Sequence, residues 1–130
     1  MNATATDDRI HRFWKGIDIN RTGSHERDCI EYAVTALTNI GYDNFDRGLF
    51  NGFSCDGDGK RVYVAVLPIA VDDYEFTLDD LQGVIDDEVT EIGASICDAS
   101  GCDRFDVMSV CINAAVRRIR IHHVRSVWER

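Results

Sequence analysis

Between Val62 and Asp103 the chain has no lysine and no arginine, yet it holds eleven acidic residues there. These are Asp72, Asp73, Glu75, Asp79, Asp80, Asp86, Asp87, Glu88, Glu91, Asp98 and Asp103. A solvated surface normally mixes signs, because like charges repel and opposite neighbours relieve them. A one-sign block cannot neutralise itself locally. It cannot grip phosphates either, and it projects a field that attracts basic partners. Proline is nearly absent, with Pro68 alone. No apolar run approaches the ~20 residues that a membrane span needs. Gly57 and Gly59 precede no helix start, so a phosphate-cradling glycine loop is excluded. Lysine is scarce, two against twelve arginines, and glutamate is outnumbered by aspartate, six to seventeen. Genome composition or adaptation to high salt produces such skews. Neither explains a long stretch free of basic residues.

What is present divides by region. Residues 1–61 sum to −2, residues 62–103 to −11 and residues 104–130 to +4, which gives the overall −9. The basic end either neutralises the acidic block within the fold or faces a different partner. A hydrophobic fraction of 45% argues against disorder despite the charge. At 130 residues, one domain with a real core is expected over residues 10–130, behind a loose tail over residues 1–9. The tail is polar, with Asp7 and Asp8, and does not read as a secretory signal. A cytoplasmic location is therefore expected. Five cysteines, Cys29, Cys55, Cys97, Cys102 and Cys111, cannot all pair within one chain, and reduced thiols are expected.

Hydrophobic spacing predicts the elements. Phe13, Ile17 and Ile19 suggest a short strand over Ile10–Ile19. Ser24 reads as a helix cap. Ile30, Ala33, Val34, Leu37 and Ile40 then lie on one helical face, and Gly41 stops the helix. Asp43–Gly48 reads as a connection. Leu49–Cys55 and Lys60–Leu67 flank Asp56-Gly57-Asp58-Gly59 as a hairpin. Both faces of the second strand are apolar, so it should be central, with Pro68 at its end. Thr77 and Asp80 form an approximate capping box for a second helix. Leu78, Leu81, Val84, Ile85, Val89 and Ile92 line its apolar side, and Gly93 stops it. Ala94–Asp103 reads as a loop. Val107–Ile112 and Val116–Val124 read as two strands joined near Asn113-Ala114, with one long helix as the competitor. The fold expected is α+β: an antiparallel sheet of about four to five strands with two amphipathic helices, in the order β-α-β-β-α-β-β.

The chemical candidates are weak. Asp56-Gly57-Asp58-Gly59-Lys60 resembles the opening of a calcium loop, but the position for its closing glutamate is Leu67, inside a valine-rich strand. Cys97, Cys102, Cys111, His122 and His123 are soft ligands at spacings poor for zinc. A nucleophilic Cys102 would need His122 or His123 as its base, and no local pattern supports that. No metal, cofactor or catalytic group is expected. Arg117, Arg118, Arg120 and Arg125 could contact phosphates, but a net charge of −9 opposes direct nucleic-acid binding.

The favoured reading is a small acidic binding or inhibitor protein, not an enzyme. Its partner would be a basic protein or nucleoprotein complex, met by Asp72, Asp73, Glu75, Asp79, Asp80, Asp86, Asp87 and Glu91. Its carboxylates would then stand where phosphates stand. Small phage-encoded inhibitors of bacterial defence, including anti-CRISPR proteins, share this size and acidity, a likeness of composition only. A self-associating structural or regulatory domain, such as a homodimer, is the alternative. A small enzyme of unrecognised type is the third.

Overall fold

The computed structural model describes residues 26–48, 51–71, 75–113 and 118–130. The expected strand over Ile10–Ile19 and the Ser24 cap lie outside these residues. The described elements run α1 (Glu26–Asn39), β1 (Asp43–Arg47), β2 (Gly52–Gly57), β3 (Lys60–Val71), α2 (Leu78–Val84), α3 (Asp87–Ser100), β4 (Arg104–Asn113) and β5 (Arg118–Glu129). The five strands form one sheet in the order β1-β2-β3-β4-β5.

The fold is α+β, but the sheet is mixed. β1–β2, β2–β3 and β4–β5 are antiparallel, whereas β3 and β4 run parallel from Val62↔Arg104 to Val71↔Asn113. A parallel pair needs a long crossover. Here the crossover is residues 72–103, the greater part of the acid-only stretch. The expectation of a wholly antiparallel sheet fails on this connection.

β3 explains the layering. Tyr63, Ala65, Leu67 and Ile69 pack with Leu81, Val89, Ile92 and Ile96 of α2 and α3. Val62, Val64 and Val66 pack with Cys29, Ala33 and Leu37 of α1. Alternate side chains of a strand point to opposite faces, so α1 covers one face of the sheet and α2–α3 the other. The doubly apolar strand is therefore central, as expected.

In α1 the buried residues Cys29, Ala33 and Leu37 recur at every fourth position. Gly41, at φ 96°, stops the helix, and Tyr42 N–H donates back to Leu37 O at 3.0 Å. Ile40, expected on the apolar face, is 54% exposed because it follows the last helical residue. Asp43–Arg47, expected as a connection, is an edge strand. Its ladder shifts between Asp43 and Asp46, and every residue but Phe45 is exposed. Short, charged and irregular edges resist unwanted pairing. The β2–β3 hairpin turns through Asp58 (φ 54°) and Gly59 (φ 75°), the pair of positive angles that a tight two-residue turn requires.

Pro68 does not end β3, which continues to Val71. Val66 N–H and C=O both bond Asn51, where β2 gives out. The nitrogen of Pro68, two residues on, faces the same side, beyond β2. It therefore forfeits no ladder bond to a described residue.

The second expected helix is two. α2 ends at Val84, Ile85 and Asp86 are extended, and α3 begins at Asp87. Asp86 causes the restart, because its carboxylate caps Val89 N–H at 3.0 Å. Gly93 is no stop. It sits inside α3 against the Phe105 ring, which a Cβ there would overlap. The helix continues through the expected loop to Ser100, and Gly101 (φ 73°) ends it. β4 and β5 are the two strands expected, and they start three residues earlier and end five residues later than the spacing of β-branched residues implied (Val107 against Arg104, Val124 against Glu129).

Candidate functional site

The crossover builds one outer surface. In α3, at about 100° per residue, Asp87, Glu91 and Asp98 fall within about 40° of each other. Val89, Ile92 and Ile96 occupy the opposite side and are buried. From ~1.5 Å rise per residue, Asp87 and Glu91 are about 6 Å apart along the axis and Asp98 is about 16 Å from Asp87. All three are exposed. Asp79 adds an exposed carboxylate in the first turn of α2. Neither helix contains lysine or arginine.

Not every acid there is available alike. Asp80 closes a capping box: its Oδ2 accepts from Thr77 N–H at 2.8 Å, and Thr77 Oγ1 accepts from Asp80 N–H at 3.2 Å. Asp86 caps α3. Glu75 pairs with Arg120 at 2.6 Å, and Asp98 with Arg130 at 3.0 Å. Both pairs are solvated, so they tie the basic end to the rim of the acidic layer at little gain in stability. Asp72 and Asp73 lie outside the described residues. The structure thus places Asp79, Asp80, Asp86, Asp87 and Glu91 on the helical layer, and Glu75 beside β5.

A second cluster was not foreseen. Arg104 and Asp106 are buried at the start of β4, on the α1 face. Arg104 Nη1 donates to Asp58 Oδ2 at 3.0 Å, and Nη2 to Tyr42 Oη at 2.9 Å. Tyr42 Oη donates to Asp58 Oδ2 at 2.6 Å. Asp106 accepts from both Arg104 Nε and Nη2, from Ser126 N–H at 2.9 Å, and pairs with His123 Nε2 at 2.7 Å. A bulge in β5, with Ser126 at φ 55°, turns that N–H inward. The Tyr42 ring meets His123 edge-on at 6.3 Å.

Burial alone would push the Asp106 carboxyl up, but the His123, Arg104 and Ser126 bonds outweigh it and hold it below the usual carboxylate range. Hydrogen bonds from Tyr42 and Arg104 likewise hold Asp58 down. The cluster joins the end of α1, the β2–β3 turn, β4 and β5. Its sequence signal is Arg104-Phe-Asp106, two charges on a strand face otherwise made of Met108, Val110 and Ile112.

The calcium-like residues have other work. Asp56 accepts from Asn44 and Arg61, and Asp58 belongs to the buried cluster. All five cysteines are buried, and none is in a disulfide. Burial pushes the Cys55 and Cys97 thiols up to about 12, the opposite of an activated nucleophile. His122 Nε2 lies 3.2 Å from Phe76 O. Among the described residues, no group of three or more His, Cys, Asp or Glu could hold a metal ion. No described helix is long and apolar enough to cross a membrane.

Comparison with protein-family models, with curated proteins and with solved structures gave no match.

Proposed function

We propose that this is a small acidic binding protein whose α2–α3 layer engages a basic surface on another macromolecule. A surface that normally holds nucleic acid suits it best, because the carboxylates would replace phosphates. One observation carries the reading: Asp79, Asp87, Glu91 and Asp98 are exposed on two helices that contain no cation and whose opposite sides are buried. Helical packing consumes the apolar side and leaves the charged side for a partner. Long-range attraction would accelerate encounter and select partners, and local packing would complete the affinity.

Pull-down from a candidate host lysate at low and high salt tests it. A basic partner should be captured at low salt and released as salt rises. Capture that ignores salt, or that survives Asp79, Asp87 and Glu91 changed together to lysine, would contradict the proposal.

A second reading rests on β5. This twelve-residue strand forms one edge of the sheet among the described strands, and Arg118 and Arg125 on it make no ion pair with the described residues. The acidic layer of one copy could meet the β5 arginines of another. A sizing column separates the two readings: a dimer that dissociates with salt favours self-association.

A further inference from the structure

The two edges of the sheet, among the described strands, differ. β1 is short and acidic, and its register shifts between Asp43 and Asp46. Those features discourage another strand from pairing. β5 is twelve residues long, and its ladder to β4 runs without a shift from Val107↔Val124 to Asn113↔Arg118. This regular part, Arg118–Val124, spans about 20 Å. β4 is buried from Arg104 to Cys111, whereas no residue of β5 is fully buried.

The two sides of this edge carry different chemistry. Ile121 packs on the α1 face, and alternation puts Ile119 beside it, 40% exposed. Arg118, Arg120 and His122 line the other side, toward the start of α2. There Arg120 pairs with Glu75 at 2.6 Å, and His122 Nε2 lies 3.2 Å from Phe76 O. Arg118 is exposed and makes no ion pair with the described residues. Arg118 and Arg120 stand about 7 Å apart along the strand.

These sides define the occupant. A strand laid along β5 would pair its backbone with the edge and alternate its own side chains between the same two sides. One set would meet isoleucine and the other arginine. Acidic residues alternating with branched aliphatic ones satisfy both, because opposite charges across a strand pair attract and like charges repel. A second copy of β5 is disfavoured on that ground, since it would add two more arginines to the row. Glu75 on Arg120 is an acidic contact of the kind this row accepts.

We propose that the β5 edge docks an extended segment of another protein in which acidic and branched aliphatic residues alternate, laid beside the five described strands. Main-chain bonds would supply the affinity, and Arg118 with Arg120 would select the sign of charge. The site lies on β5 and not on the outer face of α2–α3, so this proposal and the proposed function can fail separately.

The probe is a capped peptide of about eight alternating aspartates and valines, long enough to cover the edge. It is added to the ¹⁵N-labelled full chain at low salt. In the free protein, alternate amides of Arg118–Val124 should exchange quickly, because every second N–H of an edge strand points outward. The peptide should shift and protect them saturably, with a dissociation constant on the order of 0.1 mM. Lysine in place of its aspartates should weaken binding about tenfold. N-methylation of its pairing edge should abolish binding. Arg118→Glu should weaken binding about fivefold and Arg118→Lys much less, with the remaining amide spectrum unchanged. Protection of all these amides in the free chain, which means that the edge is already occupied, overturns the proposal. So does the absence of a saturable change at about 1 mM peptide. Equal binding of the lysine or N-methylated peptide overturns it too, as does binding that Arg118→Glu leaves unchanged.

Discussion

Arg104 and Asp106 stand two residues apart on one face of β4 and are joined by two parallel hydrogen bonds, Nε to Oδ1 and Nη2 to Oδ2, both 2.9 Å. Arg104 is 4% exposed and Asp106 is fully buried. Desolvating such a pair costs free energy that only good geometry and extra donors offset. The extra donors are present, from Ser126 and His123. The net contribution of such a pair is small, but losing one partner strands the other.

Its removal should therefore be expensive from one side. Asp106→Asn takes the bidentate carboxylate from buried Arg104, which keeps only the single carboxylate bond to Asp58, and should cost about 3–5 kcal/mol in urea unfolding. Asp98→Ala, which removes one of the two exposed partners of Arg130, should change stability by less than about 0.5 kcal/mol. Similar costs for the two would show that the burial of the first pair is not what matters.

The same cluster, with Asp56 beside it, sets a pH dependence. The folded-state values of Asp106, Asp58 and Asp56 are depressed. A depressed carboxyl contributes stability that is present above its unfolded value, ~3.9, and is lost as pH falls through the lower folded value. The urea midpoint should hold above about pH 5 and drop steadily below about pH 4. Asp106→Asn should flatten that acid limb. A midpoint that rose on acidification would have the wrong sign for these carboxylates.

Much of this fold was legible because periodicity reports burial. The valines of β3, the Cys29-Ala33-Leu37 stripe and the Asp58-Gly59 turn each state their environment locally. The parallel β3–β4 pairing was not legible, because strand direction is decided by which distant edge is free. Gly93 misled for a related reason. Glycine marks both a helix stop and a close approach, and only the Phe105 ring, twelve residues away, distinguishes them. The buried cluster was half visible: Arg104 and Asp106 break the apolar run of β4, but Tyr42, Asp58 and His123 reach them only through the tertiary fold. Of the acidic face, sequence gave the carboxylates and their side of the helix. It did not give the break at Asp86.

Gly93→Ala makes the helix-stop question quantitative. Alanine should favour a helix interior by about 1 kcal/mol. The added methyl would collide with Phe105, and overpacking costs about 1–3 kcal/mol. The clash should win, giving a net loss near 1 kcal/mol in thermal or urea unfolding. Phe105→Leu should remove part of the penalty in a double-mutant cycle. A stabilised Gly93→Ala protein would mean that α3 sits farther from the sheet.

The thiols give a direct test of core burial. All five are buried, and Cys55, Cys97 and Cys111 are pushed up mainly by desolvation. The thiolate is the reactive form, so a thiol-specific disulfide reagent at neutral pH should label the native protein slowly, through opening. In denaturant it should label five equivalents at once. Fast stoichiometric labelling of one native cysteine would identify an exposed, activated thiol and revive a catalytic reading.

The acidic layer makes the sharpest prediction, because two neighbouring aspartates there should do opposite things. Asp86 caps α3 through Val89 N–H, whereas Asp87 is an exposed first-turn residue on the line with Glu91 and Asp98. Loss of a cap costs typically ~1 kcal/mol, so Asp86→Ala should lower stability by about that amount. Asp87→Ala loses only a favourable charge near the helix N-terminus, about 0.3–1 kcal/mol at low salt and less as salt is added. In binding the order should reverse. Asp87→Lys, alone and with Asp79→Lys and Glu91→Lys, should weaken capture of a basic partner progressively while the far-ultraviolet spectrum stays native. Asp80 and Asp86 should be left intact in that experiment, because reversing them would unfasten α2 and α3 and confuse lost binding with lost structure. Once a partner is in hand, equal affinity of the folded triple variant and the wild type at low salt would remove this face as the interface.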